Sequence, residues 1–464
     1  MRFFYAGTTL ILAVTLAALA SAAESTEPST TTEVLVSSTE DAAPATEDTA
    51  PAGTTDATDE ADTETNERPP YSLLTTPGLT GDWGGVRTDL EELGFTLSPV
   101  LYTGYTHNMR GGRSTSNAHD LPGMVQYNVE LDFDKMGLVP GGSFFIRATQ
   151  TWNDGIRRKT GSISRPTHVW GDSGDNEILV DKWWWRQDFF DGRLELRLGK
   201  LLNIVDLFDM NEYAGNMYTR FTNSFLTSNP VFPAAKSIGA FIRVRPTDWL
   251  YFQAAAMDPY QIQTRTGFDT AFHSPCHFYG FWEMGLTPTW NTAKGPMPGN
   301  YRFGLWYDPR TKTVFRDTRG GELPERKKSG DVGFYLNFDQ LVWKENDDPA
   351  DSQGLGVFGR YGYAQGDVNL IEHFWSVGAQ YQGLIPTRDR DILAFGVGQG
   401  ILSRQYRSEI NRLADRETVY ETYYLIQVTP WMQLSPHLQV ITNPGGTRDA
   451  RDALVGGARL RVLF

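Results

Sequence analysis

Arg186, Asp188, Glu195 and Arg197 stand two residues apart on either side of an Asp191-Gly192 pair. The chemistry such a set could do is noncovalent. An arginine is a rigid fork of five donors and a carboxylate is an acceptor, so alternating forks and carboxylates could hold a hydroxyl-rich solute or attract an anionic one. Arg147, Arg243, Arg245, Arg302, Arg360, Arg459 and Arg461 extend the donor set, and Glu130 and Asp132 the acceptors. Covalent chemistry lacks its parts. His107, His119 and His168 lie near Asp120 and Asp172 in sequence, but no serine-centred motif accompanies them, so they read as solvated loop residues. The seven histidines have no metal-binding spacing, and the single cysteine, Cys276, can form neither an intrachain disulfide nor a metal site alone. No metal, cofactor or nucleic-acid partner is expected.

For these charges to act together they must share a face. Asp-Gly is the favoured two-residue type I′ hairpin turn, and that turn pairs Phe190 with Arg193, Asp188 with Glu195 and Arg186 with Arg197. One face then carries Trp184, Arg186, Asp188, Arg193, Glu195 and Arg197. The other carries Trp183, Trp185, Phe189, Leu194, Leu196 and Leu198, with Gln187 the one exception. Full charges on one face and leucines on the other suit a membrane barrel, apolar toward lipid and charged toward a wet interior. The like-charge pairs are expected to be relieved diagonally across the hairpin.

The same alternation recurs in segments of about ten residues, the length a tilted membrane strand needs. Val125, Tyr127, Val129, Leu131 and Phe133 oppose Gln126, Asn128, Glu130 and Asp132, and Ile238, Ala240, Ile242 and Val244 oppose Phe241, Arg243 and Arg245. Strands are predicted near 95–106, 123–135, 143–152, 177–190, 193–200, 237–245, 249–257, 278–287, 300–308, 330–342, 354–364, 374–383, 391–402, 418–429, 432–442 and 453–464, with 287–299 the least defined part. The fold class is therefore all-β, a transmembrane antiparallel barrel of about sixteen strands. An even number puts both ends of the domain on the periplasmic side, with short turns there and long connections such as 153–176, 201–236 and 258–277 outside.

Export fits this. Arg2 followed by an apolar run over Leu10 to Leu19 and then Ala20-Ser21-Ala22 reads as a signal peptide, residues 1–22, cleaved before Ala23. The run is too short to span a bilayer core of about 30 Å. Residues 24–68 hold 13 Asp or Glu against Arg68 alone, whereas 69–464 hold 40 Lys or Arg against 43 acids, so the net charge of −14 belongs to a tail. That tail, 23–70, is expected to be a disordered spacer, because Thr, Glu, Asp, Ala and Pro cannot bury enough surface to offset ordering. The chain is polar on average, mean hydropathy −0.39, yet 13% aromatic, as interfacial girdles require. The last segment alternates Ala458, Leu460, Val462 and Phe464 with Arg459 and Arg461. A terminal aromatic on such a strand resembles the signal read by barrel-assembly machinery.

Several stretches resemble the carbohydrate-selective porins, the OprB-like family of outer membranes. They are Gly81-Asp82-Trp83-Gly84-Gly85-Val86-Arg87, Gly333-Phe334-Tyr335 through Asp339-Gln340, and Gly356-Val357-Phe358-Gly359-Arg360-Tyr361-Gly362-Tyr363-Ala364. Glu421-Thr422-Tyr423-Tyr424, Pro436-His437-Leu438-Gln439 and Asn443-Pro444-Gly445-Gly446 complete the series. They run in the expected order over 79–464; the acidic spacer departs from the family's usual short start. The resemblance implies sixteen strands, passive uptake of small sugars, and a short helix near the periplasmic mouth within 71–94, ahead of a barrel domain over 95–464. From the residues themselves, Asp82 is a plausible N-cap there, and Val86, Leu90 and Leu93 share one helical face that should pack against the lower barrel.

A sugar needs paired donors and acceptors plus a flat apolar surface. The expected solute site therefore draws on Arg147, Arg186, Arg197, Arg243, Arg245, Arg302, Arg360, Glu130, Asp188 and Glu195, with Trp184 facing inward as a stacking platform. Trp282, Trp306 and Trp375 stay unassigned. Substituting Arg147, Arg197 or Arg360 should alter sugar block. The excess of inward arginines keeps an anion or small-carboxylate porin open as an alternative. A barrel hydrolase and a structural tether working through the spacer are alternatives of other classes. Outer-membrane lipid is the expected surround, and a homotrimer stays open.

Overall fold

Alternating strands can cross a bilayer only if the sheet closes on itself, because lipid offers no partner to an unpaired backbone group. The computed structural model describes residues 72–167, 177–216, 218–262, 264–268, 277–315, 326–348, 351–409 and 415–464. The expected signal peptide and spacer, together with His168, Asp172 and Cys276, lie outside these residues. Sixteen long strands form one sheet: β1 (Phe95–Gly112), β2 (Gly123–Asp132), β3 (Gly142–Trp152), β4 (Ile178–Phe189), β5 (Leu194–Leu202), β6 (Lys236–Thr247), β7 (Leu250–Met257) and β8 (Tyr279–Leu286). The second half is β9 (Gly295–Asp308), β10 (Asp331–Lys344), β11 (Gly354–Ala364), β12 (Ile371–Gln382), β13 (Ile392–Leu402), β14 (Arg416–Thr429), β15 (Met432–Thr442) and β16 (Arg451–Leu463). Each pairs antiparallel with the next, and β16 returns to β1, Val100 opposite Leu463 and Tyr102 opposite Arg461, so the barrel has no edge. All sixteen expected strands are present. The segment 287–299 is a hairpin in which Thr289–Thr292 pairs with the start of β9.

The β4–β5 hairpin has the expected register, Arg186 opposite Arg197 and Asp188 opposite Glu195. Asp191 and Gly192 take φ of 54° and 78°, and Arg193 N–H donates to Phe190 O at 3.2 Å, as a type I′ turn demands. Outward side chains such as Phe303, Leu305, Leu336, Phe338, Val377 and Phe395 are exposed, the band that meets lipid. Among the described residues no helix is long and apolar enough to cross a membrane.

The segment ahead of β1 is tied to the barrel at the short-turn end. A 3₁₀ turn at Trp83–Gly85 leads into α1 (Val86–Glu92), and Asp82 Oδ1 accepts from Thr88 N and Oγ1 at 3.0 and 2.7 Å. The face expected to pack does not: Val86 is 52% and Leu93 66% exposed. A polar anchor replaces it. Arg87 donates to Phe464 O at 2.9 Å, Leu79 N–H to Leu463 O and Phe464 N–H to Pro99 O. The last residue thus ties the helix segment, β1 and β16 together at the seam. Deleting Phe464 is expected to lower the yield of heat-modifiable, membrane-inserted barrel, read by gel mobility before and after boiling. Normal insertion of the shortened chain would contradict the role given to that residue.

Candidate functional site: a narrowed lumen

Alternation turns Arg147, Trp184, Arg197, Arg243, Arg302 and Arg360 inward, as expected, but they do not line an empty tube. The long connection between β5 and β6, residues 203–235, folds into the barrel. Its neck is closed by Asn203, whose Oδ1 accepts from Ala235 N at 2.7 Å and whose Nδ2 donates to Pro233 O at 3.0 Å. Beyond the neck, Phe208 meets Phe241 and Phe281 at 6.0 and 5.8 Å, Phe225 meets Phe374 at 5.5 Å, and Phe221 meets Tyr423 at 5.0 Å. Rings packed in this way bury large apolar areas, and each such pair adds about 0.5–1.5 kcal/mol beyond the burial itself. The face of β13 that receives the segment is smooth: a Cβ on Gly398 would lie 2.7 Å from Phe225 O.

Buried wall side chains pin the segment by its backbone. Arg360 Nη1 donates to Leu226 O at 2.8 Å and Nη2 to Asp209 O at 3.2 Å, with Nε 3.5 Å from Asp209 Oδ2. Glu421 accepts from Thr222 N and Oγ1 and from Asn223 N at 2.7 to 2.8 Å. Arg459 donates to Phe221 O and Arg220 O, and Glu283 accepts from Asp209 N. Lys182 pairs with Asp206 at 2.8 Å. A buried carboxylate or guanidinium is costly unless several hydrogen bonds compensate it, and here peptide groups of the segment supply them. None of these pins was legible in the strand alternation alone.

The candidates therefore separate. Arg360 holds the inward segment. Arg147 makes a two-bond fork to Asp181 at 2.9 and 2.7 Å, beneath a bulge in the β3–β4 pairing that sets Asp181 and Lys182 on the same side of β4. Trp184 faces inward but stacks on Phe145, centroids 5.1 Å apart, with the Arg197 guanidinium 4.7 Å from its ring. At 6% exposure it offers no open face, which corrects its expected role as a platform. Arg197 itself is buried against Glu195. Trp306 is also inward and buried, against Gly333.

Arg186, Asp188, Arg243, Arg302 and Glu130 keep part of their surface toward the lumen. Arg186 forks onto Asp188 at 3.0 and 2.8 Å, and the pair is 19% and 25% exposed. Arg243 reaches Glu195 at 3.2 Å and Gln253 at 2.8 Å, while Arg302 reaches Asp339 at 2.8 Å and Tyr251 at 3.2 Å. Arg186 and Arg197 thus meet carboxylates two residues along their own strands, in place of the relief expected across the hairpin diagonal. Arg245 lies apart, at the short-turn mouth beside Gly192 O. His107 and His119 stack with Tyr105 on the outward face of β1, away from this lumen.

Asp209, on the inward segment outside the strands, titrates unusually: burial pushes its carboxyl up to about 6 against the lowering pull of Arg360 and Asn337. A carboxyl raised above its unfolded value of about 3.9 costs nothing below that pH, and its penalty grows through the interval and is complete above the folded value. Asp209→Asn is expected to remove that penalty, so the variant's thermal midpoint should gain on the wild type as pH rises from 4 to 7. An equal difference at both pH values would contradict this.

A closed sixteen-stranded barrel with a charged lumen, narrowed by its own inward segment, defines a porin of the outer membrane. The chain belongs to the carbohydrate-selective porin, OprB family, whose sequence model matches residues 118–464. It is similar to Porin B of Pseudomonas aeruginosa, 26% identical over 433 residues that cover 83% of this chain and 91% of that protein. Its fold is similar to the high-pH structure of Pseudomonas putida OprB, with a TM-score of 0.75 at 20% identity, covering 85% of this chain and 100% of that one. The low-pH structure of the same protein gives a TM-score of 0.54 at 18% identity with equal coverage.

Proposed function

We propose that the protein lets small neutral sugars diffuse passively across the outer membrane, through the gap between segment 203–235 and the wall that carries Arg186, Arg243 and Arg302. The observation that carries this reading is the pairing of the partly exposed lumen arginines with carboxylates. Arg186 and Asp188 present donor and acceptor side by side, while the buried Glu195 and Asp339 neutralise the partly exposed Arg243 and Arg302. A hydroxyl-rich neutral solute can exchange water for both kinds of group at once, whereas an anion meets little uncompensated positive charge. The same pairing counts against the anion-porin alternative. The family and fold point to a channel and not to a hydrolase.

Single-channel recording tests the lumen assignment. Arg186→Ala leaves the inward segment's pins untouched, and losing one charged hydrogen-bond donor is expected to weaken sugar block roughly tenfold with the barrel intact. Unchanged block, with a shift in anion preference only, would transfer these residues to the anion reading.

A further inference from the structure

Two of the partly open lumen arginines, Arg243 and Arg302, stand beside a tyrosine that the strand alternation did not single out. Tyr251 lies near the start of β7, opposite Gly285 of β8, and Gly285 in turn lies opposite Arg302 of β9. Because Gly285 has no side chain, the phenol ring lies across it: a Cβ there would stand 2.1 Å from Tyr251 Cζ and 2.2 Å from Cε1. Crossing that empty position lets the hydroxyl donate to Glu283 Oε1 at 2.7 Å and accept from Arg302 Nε at 3.2 Å. Glu283 is buried and also accepts from Gln253 Nε2 and from Asp209 N of the inward segment. The ring is therefore held through one carboxylate to the docked segment 203–235.

With the hydroxyl engaged on the wall, what the side chain has left to offer is a ring face. One face covers Gly285. Arg243 does not stack on the other, since its guanidinium carbon is 5.7 Å from the ring centre, well beyond the roughly 3.5–4.0 Å of carbon-to-carbon contact. Tyr251 stays half-buried, whereas Trp184, Phe241, Phe281, Trp306 and Tyr335 on neighbouring inward positions are 6% exposed or less. The face of an aromatic ring is its electron-rich side, and here it lies between two guanidinium forks. A pyranose fits that arrangement: its axial C–H groups lie on the ring face, and its equatorial hydroxyls reach sideways to the donors. We propose that Tyr251 is the stacking platform of the lumen, and that it selects cyclic pyranoses over open-chain polyols of the same size. This rests on the sugar reading above. An open-chain hexitol carries the same kind of hydroxyls but has no rigid apolar face to lay on the ring.

Single-channel block of the full-length protein by glucose and by glucitol, an open-chain hexitol with the same number of carbons, tests this. The wild type is expected to be blocked roughly fivefold more tightly by glucose, the size of one stacking contact. Tyr251→Phe keeps the ring and should keep that preference, whereas Tyr251→Leu should lose it, its glucose block falling to the level of glucitol. Gly285→Ala, which puts a carbon where the ring lies, should lose the preference with Tyr251 still present, and it serves in place of the leucine variant if that one does not assemble. Equal block of the wild type by the two solutes would overturn the platform and leave a sugar channel standing, as would an undiminished preference in assembled Tyr251→Leu channels. Loss of the preference in Tyr251→Phe would refute it too, by giving the selection to the hydroxyl and not to the ring. Absence of block by either solute would remove the sugar reading itself and the platform with it.

Discussion

Replacing Arg360 by alanine is expected to raise single-channel conductance several-fold and to abolish saturable sugar block, while the barrel still assembles. The side chain is buried, bridges Asp209 O and Leu226 O on the inward segment, and faces the Asp209 carboxylate. Removing one partner of such a buried pair typically costs about 3–5 kcal/mol: Leu226 O loses its side-chain donor, and the Asp209 carboxylate loses its cation and keeps Asn337 Nδ2. That cost falls on docking of the segment and not on the strand ladder, whose backbone bonds on both sides of β11 are untouched. A released segment leaves a wider, less ordered lumen. Unaltered conductance in this variant would mean that the other pins, among them Glu421, Glu283, Arg459, Lys182 and Asn337, hold the segment without Arg360.

The second large effect has the opposite sign. Gly398→Val places branched carbons where Phe225 O and Cβ already stand 2.7 and 2.9 Å from the Cβ position. Overpacking of this kind costs about 1–3 kcal/mol unless the neighbour moves, and the neighbour is the short helix Ser224–Thr227 on the inward segment. Pushed off the wall, it moves toward the lumen axis and narrows it, so conductance is expected to fall by at least half. Ion flow equal to wild type would show that the segment can give way without entering the pore. Together the two variants distinguish a segment that sets the bore from one that merely fills space.

How much of this was legible in the sequence follows from which signals are periodic. The strands were, because a face that alternates every second residue can be read locally, and the Asp191-Gly192 turn fixed the register of Arg186 against Arg197. The bulge at Asp181 was not legible, since one extra residue leaves the alternation on either side intact while changing which side chains share the lumen. Nor was the inward turn of 203–235, because a connection has no period to read. Two signs do mark it in hindsight. Phe208, Phe221, Phe225 and Phe232 are costly in a loop bathed by water, and Gly396, Gly398 and Gly400 fall at alternate positions on one face of β13, leaving a groove that only an inward partner fills. The arginines were found by type and face, but this segment separates them: Arg360 and Arg459 hold it, Arg147 braces the wall, and Arg186, Arg243 and Arg302 keep part of their surface open. The α1 face failed because Arg87 and the carboxyl-terminal Phe464 supply a polar anchor that apolar spacing could not reveal.

The most direct test of the central claim is solute flux through the purified protein in liposomes, comparing neutral mono- and disaccharides with amino acids and small carboxylates of similar size. Faster, saturable passage of the neutral sugars is the predicted result. Faster passage of the carboxylates, or equal passage of all solutes without saturation, would contradict a sugar-selective lumen built from paired arginines and carboxylates.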